Sequence, residues 1–183
     1  VGDARAAYAK AVIIDIESVV DSDSSFEEMV EGSNNQVTTT ISDKIGSDGV
    51  PGAEDQVEVN LTGPASVIEG ETTRDYTVMF EQPVPAGNSV TVNLAYTGTA
   101  ADGADFTGVA SVVVTGGNTS TTFTLATLDD ALADNAETII IDIDSIVDTD
   151  SSFEAMVEGS NNQVTTTISA TIDSEGLTVA KGQ

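Results

Sequence analysis

The chain has 183 residues, of which 31 are Asp or Glu and five Lys or Arg, for a formal net charge of −26, and it contains no Cys, His or Trp. That balance repels nucleic acid and anionic lipid headgroups, and the missing Cys and His exclude disulfides, thiolate or imidazole metal sites and the common Ser–His and Cys–His nucleophiles. Hydrophobic residues make up 39%, enough for a buried core at this length, so the acidity is not the signature of a disordered chain.

The first residues, Val1-Gly2-Asp3, lack the basic lead and apolar run of a secretion signal and read as the interior of a longer protein. No stretch approaches the roughly 20 apolar residues of a membrane span. Asp3 to Lys10 is rich in Ala, with Arg5 and Lys10, a composition that favours helix.

Beyond it lies the strongest signal in the sequence. Ile14–Ser42 (IDIESVVDSDSSFEEMVEGSNNQVTTTIS) recurs as Ile141–Ser169 (IDIDSIVDTDSSFEAMVEGSNNQVTTTIS), displaced by 127 residues, with mild differences at 17, 19, 22 and 28. Near-identity over such a length marks a duplicated unit of a repeat architecture. The register sets the expected domains: 1–47 as the C-terminal part of a preceding repeat, 48–174 as a complete repeat, and 175–183 as linker or the start of the next.

In the half copy, Val12–Val20 and Val37–Ser42 have the alternation of strands but lack the earlier strands of a unit. Two strands alone leave open edges and an apolar face. These residues are expected to pair with another chain as a homodimer or to exchange with their own twins; the alternative is that the Ala-rich lead Asp3–Lys10 forms a helix that packs on them.

Within the complete repeat, apolar residues alternate over short runs bounded by Gly, Pro, Asn and Asp, the period-two pattern of half-buried strands. Strands are predicted near Gln56–Leu61, Ala65–Ile68, Arg74–Phe80, Val90–Tyr96, Gly108–Val114, Ser120–Leu125, Thr138–Ile146 and Val164–Ile172. The turns between them, such as Gln82-Pro83-Val84-Pro85-Ala86-Gly87-Asn88 and Gly116-Gly117-Asn118, have hairpin chemistry. Asp148–Gln163 is polar except for Phe153, Met156 and Val157, whose spacing predicts one helical turn over a sandwich end. The fold class is all-β: an Ig-like antiparallel sandwich of seven or eight strands. Tyr76, Phe80, Tyr96, Phe106 and Phe123 fall at core positions.

The carboxylates of interest lie in the loops: Glu69 and Glu71, Asp102 and Asp105, then Asp129, Asp130, Asp134 and Glu137. Alternate loops of a sandwich share one end, and so much like charge favours bound divalent cations. Calcium, with six to eight oxygen ligands in irregular geometry, suits such a set better than magnesium.

Val67-Ile68-Glu69-Gly70, Gly103-Ala104-Asp105-Phe106 and Leu128-Asp129-Asp130 with Glu137-Thr138 resemble the Calx-β motif of calcium-binding sandwiches, over roughly Ala65 to Ile146. Phe153-Glu154-Ala155-Met156-Val157 and Gln163–Ser169, with their counterparts in Phe26–Ser42, resemble the repeats of large RTX-type biofilm adhesins of Gram-negative bacteria. The resemblance implies sandwich units in series, calcium at or near the linkers, type I secretion, and a position at the outer-membrane surface with the binding domain elsewhere. It carries over Glu69, Asp102, Asp105, Asp129, Asp130 and Glu137 as calcium ligands, with Asp134 deeper in its loop and Glu71 as an alternative to Glu69. The half copy departs from this set: Asp130 corresponds to Asp3, Asp134 to Ala7 and Glu137 to Lys10, so its site is expected to be lost.

A second expected calcium position is the linker, at Asp43, Asp48, Glu54 and Asp55 before the complete repeat and at Asp173 and Glu175 after it. The leading reading of function is a non-catalytic spacer, with neighbouring repeats as partners. The runner-up is a module that itself binds a glycan or host protein through Asn34, Asn35, Asn161 and Asn162, with avidity from tandem display. A carboxylate-driven glycosidase is the least favoured, since nothing marks one acid as buried.

Overall fold

The computed structural model describes residues 10–41, 55–129 and 136–170. The Ala-rich lead, the linkers on either side of the complete repeat, and Asp130 and Asp134 lie outside those residues. Lys10 already begins a strand.

Residues 55–170 build a sandwich. Its strands are β3 (Gln56–Thr62), β4 (Ser66–Ile68), β5 (Tyr76–Phe80), β6 (Ser89–Gly98), β7 (Phe106–Thr107), β8 (Ser111–Thr115), β9 (Ser120–Phe123), β10 (Ala126–Thr127), β11 (Glu137–Val147), β12 (Ala155–Glu158) and β13 (Gln163–Ser169). They are preceded by a separate hairpin, β1 (Lys10–Asp15) with β2 (Gln36–Ile41). One sheet runs β4-β13-β11-β6-β8 and the other β12-β3-β5-β9, while β7 and β10 form a short ribbon.

The alternation in the sequence becomes burial. In β3, Val57, Val59 and Leu61 point inward while Glu58 points out, and Val90, Val92 and Leu94 do the same in β6. Ile139, Ile141 and Ile143 supply the centre from β11. Of the five aromatic residues placed in the core, Tyr76, Phe80, Phe106 and Phe123 are buried, and Tyr96 packs against the cluster partly exposed. Tyr76 stacks on Phe123 at 5.1 Å and Tyr96 meets Phe106 at 5.3 Å, within the usual range for aromatic pairs.

Two features differ from the sequence reading. The helical turn expected within Asp148–Gln163 is instead β12, which runs parallel to β3 with Ala155 opposite Gln56. A lone helical turn would leave most of its backbone groups unpaired, whereas the edge of β3 offers a ladder. Phe153 still packs into the core from this segment. The second feature is that β4 also pairs in parallel, with β13, because the chain changes sheets between Thr62 and Ser66.

The paired strands define two ends. β3 starts beside the Glu81–Asn88 and Gly116–Thr119 turns, where Phe80 N–H donates to Thr119 O at 2.7 Å and Asn88 Nδ2 to Ser152 Oγ at 2.9 Å. β13 finishes at the opposite end, where Glu69 N–H donates to Ser169 O at 3.0 Å. The chain therefore comes into the sandwich at one end, here called proximal, and leaves it at the other, the distal end.

Tyr76 and Tyr96 make a pH prediction. Tyr76 OH lies 2.7 Å from Thr166 Oγ1, which donates to Pro64 O at 2.7 Å, so the phenol is the donor of the pair. Burial pushes both phenols above the ordinary value of 10.0. The unfolded chain then loses these protons first, so the stabilisation is complete below the ordinary phenol pKa and is lost as pH rises above it. Denaturant midpoints are expected to hold between pH 8 and 9 and fall above about pH 10, and the fall should shrink when both residues are changed to Phe. An unchanged fall in that double variant would assign it elsewhere.

Candidate functional site

Six of the eight loop carboxylates are described, and all six stand at the distal end. β4 ends at Ile68, and Glu69-Gly70-Glu71 then makes a tight turn in which Gly70 has φ +72° and Glu71 N–H returns to Ile68 O at 3.0 Å. Gly is required there twice over, since a Cβ on Gly70 would also lie 3.0 Å from the Cβ of Asp129. That proximity brings the first loop against the third. Thr127 locks the pair: its N–H donates to Glu71 O at 3.0 Å and its hydroxyl to the same oxygen at 2.7 Å.

The middle loop is fixed by its own acids. Asp105 Oδ2 accepts from Ala101 N–H at 2.7 Å and Asp102 Oδ1 from Gly108 N–H at 2.8 Å, so each carboxylate ties together backbone of its own loop. Leu128 N–H donates to Asp105 O at 2.8 Å, which ties this loop to the segment carrying Asp129. Gly98, at φ +112°, passes so close to the Thr138 carbonyl that a Cβ would collide with it, and Thr99 and Ala100 N–H both donate to that carbonyl at 3.1 Å. Glu137, the first residue of β11, is thereby held next to the middle loop.

Glu69 is buried, with 5% of its surface exposed, while Glu71, Asp102 and Asp129 are exposed and Asp105 and Glu137 are intermediate. Burying a carboxylate costs heavily unless the charge is compensated, and residues 48–174 hold 21 acidic residues against a single cation, Arg74. Among the described residues, no three Asp or Glu side chains stand close enough together to hold a metal ion. The fold thus gathers the three acidic loops at one end, with an all-oxygen donor set of the type calcium accepts, without the six described carboxylates forming a shell as they stand. Of the linker candidates, Asp43, Asp48, Glu54, Asp173 and Glu175 lie outside the described residues, and Asp55 is described and buried.

The proximal end holds two acids that sequence reading did not single out as a pair. Asp55, with 3% of its surface exposed, has Oδ2 buried without a hydrogen-bond partner, as does Asp148 at Oδ1. Asp148 Oδ2 accepts from Phe153 N–H at 3.0 Å. The only sequence clue to Asp148 was its repetition as Asp21. The second Asn of each pair bonds within its own loop, Asn162 Nδ2 donating to Glu158 at 2.8 Å and Asn35 Nδ2 to Glu31 at 2.9 Å; Asn34 and Asn161 are exposed, and the backbone N–H of Asn161 donates to Asn60 Oδ1 at 3.2 Å.

No protein-family model matches the sequence, and a search of curated proteins found no match. Solved structures do match. The apo-form Calx CBD1 domain superposes with a TM-score of 0.50 at 17% identity, over 62% of this chain and 96% of that one. CBD12 from CALX1.2 gives 0.49 at 16% identity over 62% of this chain and 44% of that one. At these identities the first likeness shows a shared sandwich fold.

Proposed function

We propose that the chain is a non-catalytic, calcium-stabilised extender of a bacterial surface adhesin, a spacer repeated in series that holds a distal binding domain away from the cell for adhesion and biofilm formation. The observation that carries this reading is the position of the acidic loops at the end where the chain leaves the sandwich. A cation held by Glu69, Asp102, Asp105, Asp129, Asp130 and Glu137, with Glu71 or Asp134 completing its shell, would sit at the junction with whatever follows. It would neutralise the repulsion among those carboxylates and, with Asp173 and Glu175 from the linker, restrict the hinge.

Three further observations support it. The internal duplication fits units that each do the same mechanical job. The chain comes in and leaves at opposite ends, which extends a series of units rather than folding it back. The resemblance of the Phe153–Ser169 segment to RTX-type adhesin repeats adds the setting: type I export to the Gram-negative cell surface, with neighbouring repeats as the partners. The alternative, in which the sandwich itself binds a glycan or host protein through its Asn-rich loops, is less well supported because two of the four Asn side chains, Asn35 and Asn162, are engaged within their own loops.

Small-angle scattering from several copies of residues 48–174 in series tests the spacer directly. Its 11-residue strand β11 gives each unit a length of at least roughly 35 Å. In calcium, the maximum dimension should grow by a constant increment of that size or more per unit, and it should shorten on chelation. Identical dimensions in the two buffers would rule out the stiffening role.

A further inference from the structure

The hairpin β1–β2 and its twin β11–β13 have the same register and opposite surroundings, and over the residues of β1 and β2 they differ in sequence only at the first three positions, Lys10, Ala11 and Val12 against Glu137, Thr138 and Ile139. Lys10 faces Ile41 and Asp15 faces Gln36, as Glu137 faces Ile168 and Asp142 faces Gln163. In the twin, three elements cover what the hairpin leaves open. β6 pairs along the free edge of β11, β4 pairs along the free edge of β13, and β3 holds β12 in parallel. The residues that would make the counterpart of β12, Glu28–Glu31, form no strand. Ile14 is 64% exposed where Ile141 is 0%, Phe26 67% where Phe153 is 4%, and Ile41 55% where Ile168 is 1%.

We infer that residues 10–41 are a binding surface for the N-terminal half of a repeat of this type, equivalent to residues 48–136, supplied from outside this chain's own complete unit. The fit is already demonstrated by the twin. Ile14, Ile16, Thr39 and Ile41 are identical to the inward-facing Ile141, Ile143, Thr166 and Ile168, and Val12 differs from Ile139 by one methylene, a change that cores absorb at small cost. Each element of the partner has a place: a strand like β6 on one open edge, a strand like β4 on the other, and the face of a β3–β5 layer over the apolar side chains.

Exchange between two copies cannot substitute for this partner. Residues 1–183 hold two C-terminal halves and one N-terminal half, so any swap of these residues within a closed dimer displaces one twin for every hairpin it covers. The other way for a second copy to act is face-to-face packing of two hairpins, which leaves both pairs of strand edges open. The inference rests on the tandem-repeat part of the spacer reading and is independent of calcium, so the two fail separately: loss of a calcium effect on melting or length leaves it untouched.

Amide hydrogen exchange on the full chain tests it, with a polypeptide of residues 48–136 as the probe, refolded together with the chain. Amides of 12–16 and 37–41 should slow by about tenfold or more at one probe per chain, approaching those of 139–143 and 164–168. A second form, with an additional copy of residues 48–136 placed directly before Lys10, should show the same slowing without any titration. Ile14→Asp should abolish it while leaving the melting of the complete sandwich unchanged, since Ile14 is exposed in the free chain. The inference is overturned if those amides stay fast in the extended chain. It is equally overturned if they slow with chain concentration alone, which would make a second copy the partner.

Discussion

In millimolar calcium the chain is expected to unfold roughly 8–15 °C above its midpoint in chelator, with magnesium at matched ionic strength giving a clearly smaller rise. A ligand bound only by the folded state at about 100 times its dissociation constant contributes about 2.7 kcal/mol, and a domain of this size gains roughly 3–5 °C per kcal/mol. Magnesium should do less because it demands near-octahedral placement and gives up water reluctantly. The informative variant is Asp129→Asn, which keeps the shape of an exposed side chain and removes one charge beside the Glu69–Glu71 turn. In chelator it should melt at or above the parent, since a like charge has gone. In calcium it should melt below the parent, since a ligand has gone. A crossing of this kind separates ligation from the general relief of repulsion, which would move both midpoints the same way. Equal midpoints in calcium, magnesium and chelator would leave a solvated acidic coat and end the calcium mechanism.

A second large effect is expected from one substitution made at two places. Ile141→Ala should destabilise the sandwich by about 2–5 kcal/mol, the cost of deleting most of a fully buried side chain and leaving a cavity. Ile14→Ala, in an almost identical sequence, should change stability by less than about 0.5 kcal/mol, because that side chain is already in water. Denaturant unfolding of the two variants, compared at the same slope, gives the answer. Equal losses would mean that the hairpin is covered in solution by another copy of the chain.

Most of the strands were legible because a half-buried strand writes its period into the sequence. Val57-Glu58-Val59-Asn60-Leu61 and Val90-Thr91-Val92-Asn93-Leu94 alternate without a break, and both became strands within a few residues of the expected limits. β12 was not legible: Met156 and Val157 are only half-buried and lie in a four-residue strand that exists because β3 offers an edge from about 100 residues away. The two-residue ribbon strands β7 and β10 were too short to show a period.

The candidate site divides the same way. Acidic loops can be read directly, and that alternate loops share a sandwich end is a general property of the fold, so the gathering of Glu69, Asp105 and Asp129 was expected. Which loop touches which was decided by Gly70, Thr127 and the backbone bond from Leu128 to Asp105. In the sequence Asp55 reads as a linker ligand and Asp148 as an ordinary turn residue, and the burial of Asp55 and of Asp148 Oδ1 depends on packing at the proximal end.

The duplicated segment separates what the sequence by itself determined from what tertiary structure decided. Both copies form the same hairpin in the same register. In both, a short loop bond recurs: Phe26 N–H to Asp21 at 2.9 Å and Phe153 N–H to Asp148 at 3.0 Å. The strand bonds also recur, from Ile16 N–H to Asn35 O at 3.0 Å and from Ile143 N–H to Asn162 O at 3.1 Å. These interactions close within about 30 residues, so an identical stretch reproduces them wherever it stands. Burial is different in kind, because the apolar face of Ile141 is dry only where strands from residues 56–127 have been brought over it. Ile14 has the same neighbours in sequence and lacks those neighbours in space.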